Sequence, residues 1–165
     1  SVGQQAVPVA GALADLRAAL LRVHAAKDLS FELDVAADAG FVGDAGDFTE
    51  LLGNLADNAA KWCRHRVRVS GGLEPAPLGS HRLWLRVEDD GPGIAPADRE
   101  RVLARGVRGD EHVPGHGLGL AMVVDTVNMY GGRLEIQASR ELGGASFEVR
   151  LPGRALDPAV LRLQG

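Results

Sequence analysis

The sequence predicts a two-layer α/β sandwich, in which three main helices cover one mixed, mostly antiparallel sheet. Three observations predict this fold class. Apolar residues recur at helical spacing in well-separated segments, short alternating stretches lie between those segments, and glycine or proline separates one element from the next. The length of 165 residues is that of one domain.

The N-terminal third is predicted to contain two helices and a pair of strands. Leucine and valine recur every three or four residues from Gly11 to Ala26, which predicts an amphipathic helix. Alternation from Ser30 to Val35, followed by a short apolar piece at Phe41 and Val42, is typical of an edge hairpin. Asp44 is then expected to cap a helix that runs from Ala45 to Trp62.

Two further pairs of strands are predicted later in the chain. The first pair covers Arg66 to Ser70 and Arg82 to Glu88, joined by an exposed loop rich in glycine and proline from Gly71 to Gly79. The second pair covers Leu134 to Ala138 and Ala145 to Leu151, with its turn at two adjacent glycines. Together these strands supply most of the predicted sheet.

A long loop between two helices is the remaining feature of the pattern. A short helix is predicted from Pro96 to Leu103, and a second one from Leu118 to Met129. Between them, Ala104 to His116 shows no periodicity, and a loop of about a dozen residues is usually functional. We expect residues 1–10 to be an N-terminal extension, 11–152 the domain and 153–165 a C-terminal tail.

The composition excludes several functional classes. With 18 Lys and Arg against 22 Asp and Glu, the formal charge is −4, and no polybasic segment is present. This balance argues against nucleic acid or a membrane surface as a partner. The single cysteine, Cys63, excludes an internal disulfide, and the scattered histidines give no zinc-type cluster.

The predicted helix that ends at Trp62 has an unusual polar face. At 100° per residue, Asn54, Asn58 and Lys61 lie together, opposite the apolar face. A solvated surface would explain such a face in many amphipathic helices. However, asparagine is a poor helix former, and amide oxygens suit Mg²⁺, while a nearby lysine supplies a point charge for phosphates. We therefore interpret this face as a candidate binding surface.

Two glycine-rich segments could approach a ligand. Asp89, Gly91, Gly93 and Ile94 follow a strand, where they could form only a turn, or could let the backbone approach a flat base while Asp89 accepts from an amino group. The second segment opens a helix, where free N–H groups suit phosphates. It contains Gly115, His116, Gly117, Leu118 and Gly119.

The second segment is neither of two common nucleotide motifs. Leu120 stands where the dinucleotide fingerprint needs its third glycine, and no lysine lies in a P-loop context. Taken in order, however, the three segments resemble the N, G1 and G2 boxes of the GHKL ATP-binding fold. They are most similar to the catalytic domain of sensor histidine kinases, and within these to the PhoQ type.

The resemblance implies ATP and Mg²⁺ as cofactors. It implies that Asn58 binds Mg²⁺ with Asn54 nearby, that Lys61 reaches the phosphates, that Trp62 lies against the adenine, and that Asp89 binds its amino group. Arg105 and Arg108 match basic residues that flank a phosphate lid, and the role of His116 stays open. The implied sites comprise metal ligands (Asn58, Asn54), catalytic residues (Asn54, Lys61) and nucleotide contacts (Asn58, Lys61, Trp62, Asp89, Gly91, Gly93, Ile94, Arg105, Arg108, Gly115, His116, Gly117, Leu118, Gly119).

Two functions of different classes follow from the resemblance. One is a kinase domain that donates the γ-phosphoryl group of ATP to a histidine on another domain. The alternative is an ATP-hydrolysing clamp, whose members have a glutamate four residues before the metal-binding asparagine. Here that position is Asn54, and a neutral amide cannot act as a general base, which favours phosphoryl transfer. A degenerate binding module is disfavoured because all three motifs are present.

The expected acceptor histidine is missing from the chain. His24 has no adjacent acid and belongs to the first helix, so we do not expect it to be phosphorylated. The expected partners are therefore a dimerisation and phosphoacceptor domain outside this chain, and a response regulator that acts through it. The resemblance implies the cytoplasmic domain of an inner-membrane receptor, without direct membrane contact or nucleic acid.

Overall fold

The computed structural model describes residues 6–108 and 118–163, and the side chains of 6–104 and 119–163. Its helices are α1 (Val9–Val23), α2 (Ala45–Trp62), α3 (Pro96–Arg108), α4 (Leu118–Met129) and α5 (Pro158–Leu163). Its strands are β1 (Val7–Pro8), β2 (Ser30–Val35), β3 (Ala39–Phe41), β4 (Arg66–Pro75), β5 (His81–Asp89), β6 (Arg133–Ala138) and β7 (Ala145–Ala155).

The strands form one mixed sheet. Its order is β1-β3-β7-β5-β4-β2, and β6 pairs with the first half of β7. The β2 and β4 strands pair in parallel, while the other described pairs are antiparallel. The predicted fold class is therefore confirmed: a mixed, mostly antiparallel sheet combined with several helices.

The core lies between one face of the sheet and helices α1, α2 and α4. Alternate residues of β4, β5 and β7 point into it, and the apolar face of α2 covers them. On the other face, the intervening positions carry charged side chains that pair across strands, such as Arg86 with Glu148 and Arg150 with Glu74. The period of two along each strand thus separates an apolar layer from a polar one.

The bounds of α2 match the prediction. Asp44 caps its first turn, since its carboxylate Oδ2 accepts a hydrogen bond from the backbone N–H of Asp47 at 2.8 Å. The Tyr130 hydroxyl donates to Asp47 Oδ2 at 2.7 Å and accepts from the Asp44 N–H at 3.0 Å. The end of α4 therefore holds the beginning of α2. Among the described helices, none has the length and apolarity of a membrane span.

The predicted edge hairpin is wrong. The first of its strands, β2, pairs with β4 at one edge of the sheet, while β3 pairs with β1 and β7 near the other edge. Alternation of apolar residues predicts a strand but does not encode its partner. Only residues 36–38 join β2 to β3, yet β7, β5 and β4 lie between these two strands in the sheet.

The predicted exposed loop from Gly71 to Gly79 is also partly wrong. Strand β4 continues to Pro75, and both Gly71 and Gly72 are buried within it. A Cβ at Gly71 would lie 2.5 Å from Leu85 Cδ2 and 2.7 Å from the Trp84 carbonyl oxygen. Glycine is therefore required there by close packing between strands, and it does not mark a turn.

The predicted loop that begins at Ala104 is corrected at its start, because α3 continues to Arg108. Glycine at position 106 weakens a helix without ending it. Residues 109–117 of the expected lid lie outside the described residues.

At the chain ends, Val7–Pro8 joins the sheet and β7 extends to Ala155. The domain limits at residues 11 and 152 stay a prediction.

Candidate functional site

The polar face of α2 meets the beginning of α4. A Cβ built on Gly119 would lie 3.4 Å from Asn54 Oδ1, so the two helices are in close contact at this point. Asn58 follows one turn later and is half-buried, while Lys61 is exposed. The structure thus brings Asn54 and Gly119 together, and it places Asn58 and Lys61 on the same helix face.

The Asn54 amide is withdrawn from solvent on this face. Its Nδ2 atom is buried and has no hydrogen-bond partner among the described residues. A buried amide without a partner is costly, and a polar ligand or its hydration shell would remove that cost. The neutral oxygens of Asn54 and Asn58 are hard donors, which fit an Mg²⁺ ion that keeps several waters and phosphate oxygens as ligands.

A second group of residues lies around the end of β5. Asp89 is 2% exposed, and its Oδ1 atom accepts hydrogen bonds from the N–H groups of Gly91 at 2.9 Å and Ala145 at 3.3 Å. Both bonds use the same oxygen, and Oδ2 accepts no hydrogen bond from the described residues. A small pocket contacts Asp89, and its other lining residues are Trp62, Pro92, Gly93, Ile94 and Ala145.

Two neighbouring carboxylates have opposite pKa shifts. Burial raises the pKa of Asp89, and the hydrogen bonds from Gly91 and Ala145 only partly oppose this effect. Burial also acts to raise the pKa of Asp90, but hydrogen bonds from the N–H groups of Arg66, His65 and Arg64 outweigh it and lower the pKa. The Asp90 charge therefore holds the backbone after α2, while Asp89 faces the pocket.

Glycines allow the close backbone packing around Asp89. A Cβ at Gly91 would lie 2.3 Å from the Trp62 carbonyl oxygen, and Gly93 has a positive φ of 76°. Sequence reasoning missed Gly144, which it assigned only to a hairpin turn. A Cβ at Gly144 would lie 2.3 Å from Asp89 Oδ1 and 2.7 Å from the Gly91 nitrogen.

Several predicted site residues are beyond what the structure describes. Gly115, His116 and Gly117 lie outside the described residues. Arg105 and Arg108 are in the last turns of α3 and Leu118 begins α4, but their side chains are also outside the described part. Their expected ligand contacts therefore stay predictions.

Comparison with known proteins identifies the family. The family profile described as histidine kinase-, DNA gyrase B- and HSP90-like ATPase matches residues 43–155. The chain belongs to this family. Its similarity to sensor kinases of the PhoQ type is also confirmed, since it is 39% identical over 142 residues to the sensor protein PhoQ of Escherichia coli K12. It is 41% identical over 147 residues to the two-component sensor PhoQ of Pseudomonas aeruginosa.

Family members of known structure have the same fold. A mycobacterial sensor histidine kinase, MprB, superposes with a TM-score of 0.74 at 29% identity, covering 93% of this chain and 99% of that one. Full-length ShkA in complex with AMPPNP gives a TM-score of 0.71 at 26% identity, covering 94% of this chain and 32% of that one.

The PhoQ relatives are much longer than this chain. The PhoQ alignments cover 86% and 89% of this chain but only 28% and 31% of the relatives. The chain therefore corresponds to less than a third of those sensor proteins. Because the named relatives are sensor histidine kinases, the comparisons support the kinase hypothesis over the clamp-type ATPase within the same family.

Substitution of Gly144 by alanine should displace Asp89. The added Cβ has no room beside the Asp89 carboxylate and the Gly91 nitrogen, and Asp89 cannot move easily because the end of β5 is paired with β4 and β7. We expect ATP binding to weaken by at least about tenfold, measured by calorimetric titration. The matched control is Gly11→Ala in α1, where a Cβ has no described atom within 4 Å and ATP affinity should be unchanged. Equal affinity of the two variants would contradict this packing argument.

Asp89→Asn should raise the thermal stability of the domain and weaken its binding of ATP. Because burial raises the folded-state pKa of Asp89 above the ordinary 3.8, the folded state binds this proton more tightly than the unfolded state does. The domain therefore loses stability as the pH rises from the unfolded-state pKa of this carboxyl to its higher folded-state pKa, because ionisation is easier in the unfolded state. At neutral pH the nucleotide-free variant should have a higher Tm than the wild type, and the difference should shrink on acidification.

The same variant should bind ATP less tightly, by about 1–3 kcal/mol, because an amide replaces a charged acceptor. Thermal unfolding at several pH values and ATP titration together check both effects. A variant that is less stable at neutral pH, or that binds ATP as the wild type does, would contradict the role given to Asp89.

Proposed function

We propose that this chain is the ATP- and Mg²⁺-binding catalytic domain of a two-component sensor histidine kinase. The observation that carries the proposal is the meeting of two groups at one end of the domain. The amide face of α2 lies against the start of α4 at Asn54 and Gly119, and the Asp89 pocket adjoins the end of the same helix at Trp62. This arrangement suits a nucleotide with its base in the pocket and its phosphates along α2.

Each part of ATP has candidate contacts. The Oδ2 atom of Asp89, which accepts no hydrogen bond within the described part of the chain, suits the adenine amino group. Trp62 and Ile94 line the same pocket, and Gly91 and Gly93 keep it open to a flat base. Lys61 would reach the phosphates as a point charge. The remaining candidates for phosphate contacts are Arg105, Arg108, Gly115, His116, Gly117, Leu118 and Gly119.

Mg²⁺ would be held by Asn58, with Asn54 nearby as a second ligand, bound directly or through a water molecule. When bound, the ion neutralises charge on the phosphate oxygens. The protein's own contribution is to hold the two amides on one rigid helix, because the apolar face of α2 is fixed in the core. Their orientation is thus set before ATP arrives.

Phosphoryl transfer is favoured over hydrolysis by the same helix. In transfer, the bond between the γ-phosphorus and the β,γ-bridging oxygen breaks, a P–N bond forms with the acceptor imidazole, and ADP leaves. Attack by water needs a general base, and the Asn54 amide has no basic lone pair to offer. Asn54 would instead orient phosphate ligands while an external histidine supplies the nucleophile.

The acceptor histidine and the signalling partners would lie on other segments. We do not propose His24, because its side chain is only 20% exposed where the end of α1 meets α2. We propose a separate dimerisation domain as the acceptor, a response regulator that receives the phosphoryl group from it, and a cytoplasmic location within an inner-membrane receptor. The mildly acidic charge of −4 supports neither nucleic acid nor direct membrane contact.

Asn58→Ala should remove the Mg²⁺ dependence of ATP binding. Water would have to replace an oriented amide ligand, so added Mg²⁺ should no longer tighten binding. Titrations with and without Mg²⁺ measure the effect, with Thr49→Ala at an exposed position of the same helix as the control. If Mg²⁺ enhanced the variant as it does the wild type, the metal assignment would be wrong.

The kinase function is tested by radiolabelled ATP. Alone, the chain should gain almost no label and release phosphate slowly, because no acceptor is positioned in line with the γ-phosphate. Mixed with the dimerisation domain of a related sensor kinase that carries its histidine, it should label that domain. Brisk hydrolysis by the chain alone would support the clamp-type ATPase instead, and labelling at His24 would also reject the proposal.

A further inference from the structure

The last turn of α2 is held by a side chain from outside the helix. Lys27, in the turn after α1, donates hydrogen bonds from Nζ to the carbonyl oxygens of Ala60 at 2.8 Å and Lys61 at 2.6 Å. The final carbonyls of a helix have no intrahelical partner and carry partial negative charge. One ammonium therefore satisfies two of them beside Trp62.

The residue type at this position is specific. Of the 18 basic residues other than histidine, lysine occurs only at positions 27 and 61, and all others are arginine. A compact ammonium has three rotatable donors, which suit two carbonyls on one helical turn, whereas a planar guanidinium favours flat, two-oxygen acceptors. The geometry thus explains a lysine in a chain that otherwise uses arginine.

Backbone contacts extend the same attachment beyond α2. His65 Nδ1 lies 3.1 Å from the Lys27 carbonyl oxygen, and the Ser30 N–H donates to the His65 carbonyl at 2.7 Å. On the other side, Asp90 Oδ1 accepts from the Arg64 N–H at 2.8 Å. The segment that follows Trp62 is therefore fixed between the end of α1 and the end of β5.

The Lys27 charge also affects the pKa of Asp89, which lines the pocket. Burial raises the pKa of Asp89 and the Asp90 charge adds to that effect, whereas the Lys27 charge opposes it. The nearby Cys63 thiol stays neutral, since burial raises its pKa. The hydrogen bonds from Gly91 and Ala145 lower the pKa of Asp89 more strongly, and the Lys27 charge adds a smaller contribution in the same direction.

We propose that Lys27 is a positioning residue for the recognition of the nucleotide base. Its ammonium binds the last carbonyls of α2 and so holds the end of that helix, and with it Trp62, against the pocket. This inference rests on the proposed function, because it assumes that the pocket receives adenine. Lys27 itself does not contact the nucleotide.

The test compares Lys27→Met, Lys27→Arg and Arg22→Met. Arg22 is exposed in the last turn of α1, so its variant removes a positive charge from the same helix end without touching α2. In calorimetric titrations, Lys27→Met should weaken ATP binding by about tenfold, through the loss of hydrogen bonds from a charged donor. Lys27→Arg should recover part of the loss, and Arg22→Met should bind as the wild type does.

Two further measurements distinguish positioning from a loss of folding. In a Trp84→Phe background, the fluorescence of Trp62 should be quenched by ATP in the wild type, and less so at saturating ATP in Lys27→Met. ATP affinity measured between about pH 4 and 8 should begin to fall at a higher pH in Lys27→Met, because Asp89 loses its opposing cation. A purely structural role for Lys27 would leave the pH profile unshifted.

The outcomes separate this inference from the function on which it rests. If the wild type did not bind ATP, the proposed function would fail. If the wild type bound ATP but Lys27→Met matched it in affinity, quenching and pH profile, only the role of Lys27 would be rejected. Should Lys27→Met not fold, Lys27→Gln, which keeps an N–H donor without charge, carries the same comparison of pH profiles.

Discussion

The close approach of the end of α2 to the turn after β5 is the constraint on which the site depends. Gly91 lies so near the Trp62 carbonyl that a Cβ would be 2.3 Å from its oxygen. No side chain fits between two backbones at that distance. The contact places Asp89 beside Trp62, lets Asp90 bind the N–H groups after the helix, and brings the base pocket next to the amide face.

The site residues are kept at a cost to the stability of the domain. Two asparagines lie inside a helix that would be more stable with good helix formers, and the Asp89 carboxylate is buried to 2% exposure. Asp90 shows the opposite case, since its charge is used entirely on backbone donors and stabilises the fold. Adjacent acids of the same type thus serve binding and structure separately, because their hydrogen bonds differ.

Helix α2 contributes both to the stability of the core and to the binding site. Its apolar face is buried by the sheet, which fixes the rotation of the helix and so the direction of Asn54, Asn58 and Lys61. Each end is held by other elements: Tyr130 and Asp44 at its beginning, Lys27 at its end. A helix fixed at both ends presents its polar face with little freedom, which reduces the entropy lost on binding a ligand.

The sequence by itself determined the fold class, the bounds of α2 and the family, because these depend on local periodicity, a capping carboxylate and three short motifs. It also identified Asn54, Asn58 and Asp89 as site candidates from residue type and spacing, and Trp62 through the resemblance to the family. Only the tertiary structure decided which strands pair, why Gly71 and Gly144 must be glycine, and that Lys27 holds the end of α2. These features are contacts between residues distant in the chain, and no local pattern encodes the partner of a strand, a close-packed glycine or a capping ammonium.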